Sequence, residues 1–140
     1  LLGRDLVSIV LFGSEARGEA TVASDLDLFI VARNLSSDIL ERIKFLHELP
    51  IVVREGISVR GKTPEEFESY LAPMYLDLAV DGVILYDRDN YIAGKMVRIK
   101  QLLHQAGLQR IKREGEMMWV WDRPVKPGWE LEWGGLVEVA

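Results

Sequence analysis

The chain of 140 residues is 49% hydrophobic and carries 17 Lys and Arg against 22 Asp and Glu, for a net charge of -5. That length supports one globular domain burying roughly two thirds of its unfolded surface, and the acidic balance speaks against a protein that coats nucleic acid or anionic membrane. With no cysteine, disulfides, thiolate zinc sites and Cys nucleophiles are excluded and a reducing, cytoplasmic setting is expected. No run approaches the ~18 apolar residues of a membrane span, and residues 1–10 contain Arg4 and Asp5, so they do not read as a signal peptide.

Residues 6–12, LVSIVLF, form a short β-branched apolar run that predicts a buried strand, ended by Gly13-Ser14. Ten mostly small or polar residues follow before the hydrophobic pattern resumes at Asp25-Leu26-Asp27. Over residues 25–31, strand alternation puts Asp25, Asp27, Phe29 and Val31 on one face and Leu26, Leu28 and Ile30 on the other. Ser36 or Ser37 is the expected cap of a helix whose stripe is Ile39, Leu40, Ile43, Leu46 and Leu49, with Pro50 as its stop. Residues 51–60 read as a strand with Gly56 as a bulge or twist. Thr63 and Pro64 then open a helix, and MYLDLAVDG continues as a short one ended by Gly82 before the strand VILYD.

From Asn90 to Ala106 the stripe Ile92, Met96, Ile99, Leu103 and Ala106 predicts a long helix stopped by Gly107. The remaining segment differs in character. Trp119 and Trp121 alternate as in a strand, while Pro124 and Pro127-Gly128 mark turns.

Two carboxylates pointing the same way from Asp25 and Asp27 repel by roughly 4 kcal/mol at about 4 Å and an effective dielectric of ~20. Divalent metal offsets that cost, and Mg²⁺ takes hard oxygen ligands, typically one or two carboxylates together with substrate phosphates. A Gly-Ser turn opening a helix supplies backbone N–H groups and a positive helix end suited to phosphate. Gly13 has no Cβ to hold a phosphate away, Ser14 adds a hydroxyl donor, and Arg17 stands about one turn on.

These residues also resemble a family. Gly13-Ser14, ten residues, then Asp25-Leu26-Asp27 is similar to the signature of the DNA polymerase beta-like nucleotidyltransferase superfamily. With Ala16-Arg17-Gly18 the stretch resembles the minimal nucleotidyltransferases, often paired with a HEPN-domain partner.

The resemblance implies an α+β nucleotidyltransferase fold in which a mixed β-sheet is flanked by helices, here with a Trp-rich C-terminal β extension. The whole of residues 1–140 would be a single domain, its core about 5–87 and its extension about 90–140. It further implies ATP as substrate, two Mg²⁺ ions held by the catalytic Asp25 and Asp27, phosphates held by Gly13, Ser14 and Arg17, and transfer of AMP to an acceptor hydroxyl. That acceptor could be a tyrosine of a HEPN-type toxin, making the chain its antitoxin. The alternatives are an antitoxin that binds nucleotide without catalysis and acts by contact, and a transferase acting on a small molecule or RNA.

The family places a third carboxylate on a later strand, and here the sequence departs. Alternation over 51–60 puts Arg54, Ser58 and Arg60 on the polar face, with Ser58 where the acid is expected; Glu55 shares parity with Val53 and Ile57 but remains a candidate metal ligand. Asp77 and Asp81 are fallbacks, read as solvated or capping residues. His47 and His104 have no acidic partner at metal spacing and receive no role. Lys95, Arg98, Lys100, Arg110, Lys112 and Arg113 read as a solvated basic face, with RNA contact as the alternative. The four Trp residues of the tail read as packing, with homo-oligomer contact as the alternative.

Overall fold

The computed structural model describes residues 3–13, 26–49, 57–125 and 127–138. Its organising element is a four-stranded mixed sheet in the order β3-β2-β1-β4, built from β1 (Leu6–Phe12), β2 (Leu26–Ala32), β3 (Ile57–Lys62) and β4 (Val83–Asp87). β1 runs antiparallel to both β2 and β4, and β2 runs parallel to β3. The expected alternation is realised along the described part of β2: Phe29 and Val31 enter one apolar cluster, while Leu28 and Ile30 enter another on the opposite face.

On the first face pack α2 (Pro64–Ser69), α3 (Pro73–Asp81) and α4 (Tyr91–Ala106). Phe67 is fully buried, with its ring 4.6 Å from that of Tyr75 and 5.8 Å from that of Phe29; burying such a side chain is worth about 1.5–3 kcal/mol. Thr63 caps α2 through a reciprocal capping box with Glu66, and Pro64 sits in its first turn, where a missing N–H costs nothing. Gly107 ends α4 with φ +73, a left-handed turn that favours glycine.

Among the described helices, α1 (Ile39–His47) is the one that covers the other face. Its cap is Asp38, whose carboxylate accepts from the Leu40 and Glu41 N–H groups, rather than Ser36 or Ser37. Ser36 instead accepts from the Asp38 N–H and donates to Glu41. Of the expected stripe only Leu46 and Leu49 are buried, whereas Ile39 and Leu40 remain 68% and 78% exposed. The helix therefore meets the sheet only with its C-terminal turn.

Two hairpins follow α4: β5 (Leu108–Arg113) with β6 (Glu116–Trp121), and β7 (Trp129–Glu132) with β8 (Gly135–Glu138). Trp119 and Trp133 pack against the α2–α4 core, as the packing reading of the tail expects. The Trp133 indole donates to the Phe67 carbonyl at 3.2 Å and Glu132 accepts from the Leu71 N–H at 2.8 Å. The second hairpin is thus fastened to α2 and to the residues after it. No helix among the described residues is long and apolar enough to cross a membrane.

Candidate active site

The site gathers at one end of the sheet. Asp27 lies near the start of β2, opposite Phe12 at the end of β1 on one side and opposite Ser58 of β3 on the other. Immediately past Phe12, Gly13 turns the chain at φ +81, a conformation that glycine adopts without the Cβ penalty other residues carry. A Cβ there would overlap Asp27 Oδ2 and come within 3.2 Å of its Cγ. The glycine therefore serves two purposes, letting the chain turn and letting the Asp27 carboxylate lie against the backbone.

Ser58 stands in register with Asp27, and Arg60 and Lys62 continue the same face of β3, in register with Phe29 and Val31. Ser58 and Arg60 thus share one face of β3, as alternation reads them, while Arg54 lies outside the described residues. Asp25, Ser14, Arg17 and Glu55 lie outside the described residues. The structure consequently brings together Gly13, Asp27 and Ser58 from the candidate set. Carboxylate and hydroxyl oxygens beside a glycine suit a hard cation such as Mg²⁺, although the described residues contain no cluster of three or more His, Cys, Asp or Glu.

The two fallback acids belong elsewhere. Arg110 of β5 donates to Asp77 at 3.0 Å and to Asp81 at 2.5 and 2.8 Å, and the Trp119 indole donates to Asp77 at 3.2 Å. Hydrogen bonds to Asp81, more than those to Asp77, hold the Arg110 guanidinium protonated well above the usual arginine range. Asp77 and Asp81 are therefore neither capping residues nor metal ligands by arrangement, but an ionic clamp between α3 and the first hairpin. The spacing i, i+4 placed them on one helix face; nothing local in the sequence announced an arginine about thirty residues on.

The basic residues of the α4 neighbourhood are likewise partly spent inside the chain. Lys95 bonds Glu68 at 3.2 Å and lies 5.5 Å from the ring centres of Tyr91 and Trp133, and Arg98 donates to the Trp133 carbonyl at 3.0 Å. With Arg110 committed as well, half of the expected solvated basic face is structural.

Sequence reasoning overlooked a cleft of about 710 Å³ that begins beside Ser58 and wraps the outer edge of β3 between α1 and the α2–α3 pair. Its size lies in the range of ligand-binding clefts. On its α1 side are Ile39, Ile43 and Leu46; on the other are Tyr70, Met74 and Tyr75. Burial, and secondarily the charge of Glu66, push the Tyr75 hydroxyl up to about 12, so it stays neutral. Glu66 is bound through both oxygens by Arg42, at 2.7 and 3.1 Å, and these hydrogen bonds hold its carboxyl below the usual glutamate value.

Comparison with known proteins identifies the family. The family model described as Nucleotidyltransferase domain matches residues 2–86, which takes in β1 to β4. The Methanocaldococcus jannaschii protein named "Putative protein adenylyltransferase MJ1305" is 37% identical over 106 residues, covering 72% of this chain and 72% of that protein. A chain in the structure of a toxin–antitoxin with AMP-PNP is 19% identical with a TM-score of 0.47, covering 72% of this chain and 79% of its own. One in the complex of tri-AMPylated Shewanella oneidensis HEPN toxin with MNT antitoxin is 18% identical with a TM-score of 0.43, covering 73% and 76%. A mixed α+β sheet, Asp27 seated over Gly13 at its end, and a family match across all four strands lead to one conclusion: the chain belongs to the nucleotidyltransferase domain family and is a nucleotidyltransferase enzyme.

Proposed function

We propose that the chain transfers AMP from ATP to a hydroxyl of a protein acceptor, a tyrosine of a HEPN-type toxin partner, and so acts as an antitoxin. The observation that carries the transferase chemistry is the close seating of the Asp27 carboxylate on Gly13 beside Ser58. The stretch GSEARGEATVASDLD and the 37% identity to a protein bearing an adenylyltransferase name support AMP as the group transferred.

In this reading Asp25 and Asp27 hold Mg²⁺, which neutralises developing charge on the phosphates when bound. Gly13 lets the phosphates approach backbone N–H groups, while Ser14 and Arg17 add donors. The acceptor oxygen bonds to the α-phosphorus, the bond from that phosphorus to pyrophosphate breaks, and the hydroxyl proton passes to solvent. Such transfer rests on positioning and charge neutralisation more than on covalent help from the protein.

The serine at position 58 favours a second reading, in which nucleotide is bound and the partner is silenced by contact. Ser58 is in register with Asp27, where the family's third acid is expected. Incubating the chain with Mg²⁺, ATP and a co-encoded HEPN-type partner, then weighing the partner by intact mass spectrometry, separates the two. A gain of one or more AMP groups is the expected result. An unmodified but inhibited partner supports the contact reading, and an unmodified, uninhibited one points to a small-molecule or RNA acceptor.

A further inference from the structure

The cleft beside Ser58 has an organisation of its own. β3 is the terminal strand of the sheet, and no described strand pairs with its outer side. An edge strand presents unpaired N–H and C=O groups to whatever lies alongside it. Of these, the Gly61 carbonyl accepts from Arg42 at 3.4 Å, which fixes the far end of the edge and leaves the stretch nearer Asp27.

The two walls differ in chemistry. The α1 wall presents Ile39, Ile43 and Leu46 beside His47 and an Arg42 already bound to Glu66, and its Ile39 and Ile43 are 68% and 46% exposed although they belong to a regular amphipathic stripe. Along the opposite face of the edge run Ser58, Arg60 and Lys62, leading away from Asp27. Among the described residues Arg60 has only the Met74 sulfur at 3.6 Å, with no carboxylate partner, and Lys62 has none. Glu66, the acid among the cleft residues, is already matched by Arg42. Two cations thus face the cleft in a chain of net charge -5.

An occupant that complements both walls presents acid on one side and apolar groups on the other, at the spacing of β3. That is the alternation of an extended polypeptide, docked in the manner of strand addition. Gly13 lies against Asp27 on its β1 side, and on the other side Ser58, in register with Asp27, begins the polar row of the β3 edge. Resting on the transferase reading above, we propose that the acceptor enters as an extended segment with acidic residues on one parity and apolar residues on the other, lying along the outer edge of β3 and delivering its hydroxyl to Asp27.

The test is fluorescence anisotropy with a labelled peptide of alternating Glu and Val around one central Tyr. Its comparators are the same peptide with Lys for Glu and a single-stranded oligoribonucleotide. Binding is expected for the Glu peptide only, at least tenfold weakened in Arg60→Glu/Lys62→Glu and, separately, in Ile43→Lys. Both variants alter side chains on the cleft surface, and thermal melts verify that they fold. Equal binding of the Lys peptide, unchanged affinity in both folded variants, or preference for the oligoribonucleotide would each overturn the proposal. Calorimetry of Mg²⁺-ATP on the same wild-type sample keeps the two levels apart. ATP binding without peptide binding removes the docking segment alone, while absence of ATP binding removes the transferase reading beneath it.

Discussion

Asp27 on β2 and the Asp77–Asp81 pair on α3 are carboxylates of one chain set against different neighbours. The pair on α3 is met by a guanidinium from β5, with Arg110 and Asp81 side chains only 14% and 11% exposed. Asp27 is met by Gly13, a residue reduced to backbone, and by the register position of Ser58. Where the chain brings its own arginine to an acid, the acid joins two elements. Where it brings a glycine, the carboxylate comes up against bare backbone at the end of the sheet.

Substitution sharpens this contrast. Asp27→Asn is expected to lower transfer on the order of a hundred- to a thousandfold, the scale of removing one preorganised electrostatic group, with the melting temperature nearly unchanged; pyrophosphate release and a thermal melt check both halves. Asp81→Asn should do the reverse. It strips a shielded guanidinium of its main partner at about 3 kcal/mol, a drop of roughly 10 °C in melting temperature, and leaves nucleotide affinity as in wild type.

Gly13→Ala comes next, at about 2 kcal/mol from backbone strain and overlap with Asp27, measured by denaturant unfolding beside ATP calorimetry. Gly115→Ala is its control. That residue has nearly the same φ, +82 against +81, but nothing within 4 Å of an added Cβ, so it should cost about 1 kcal/mol and spare ATP binding. The smallest effect is Glu66→Gln. Arg42 lowers the native carboxyl below its ordinary 4.5, so its stabilisation is fully present above about pH 4.5 and is lost as pH falls through the lowered native value. With Glu66 41% exposed, solvent screening limits this to at most about 1 kcal/mol at neutral pH. Unfolding of the two proteins at pH 7 and in acid should show the difference vanishing in acid.

What the sequence disclosed followed from periodicity and local chemistry. Alternation in residues 25–31 placed Phe29 and Leu28 on opposite faces, and Thr63-Pro64 announced a helix start, because each signal is contained within a few residues. The Asp38 cap was missed because three neighbouring residues offer capping oxygens and only geometry chooses among them. Burial of the α1 stripe was over-read. Periodicity reports a face without reporting what covers it, and here Ile39 and Leu40 stay exposed. The Arg110 clamp was invisible because its partners are 29 and 33 residues away. Of the candidate site, the faces of Asp27 and Ser58 were legible through strand parity and Gly13 through the Gly-Ser turn, whereas the β3 cleft is a product of how helices sit on the two faces and has no sequence signature.

Ser8 is completely buried, and its hydroxyl donates at 2.7 Å to Asp87, whose two carboxylate oxygens also accept the Ile92 and Ala93 N–H groups at the start of α4. Seventy-nine residues separate Ser8 from Asp87. During synthesis, β1 therefore has one edge unpaired until β4 has emerged, and its buried hydroxyl has no acceptor until Asp87 arrives. Non-local pairing of this kind slows folding because a long loop must close before any contact rewards it. Closing that loop completes the sheet and, by the same carboxylate, satisfies the first turn of α4. Assembly of the sheet and docking of the long helix are thereby made a single late event in folding.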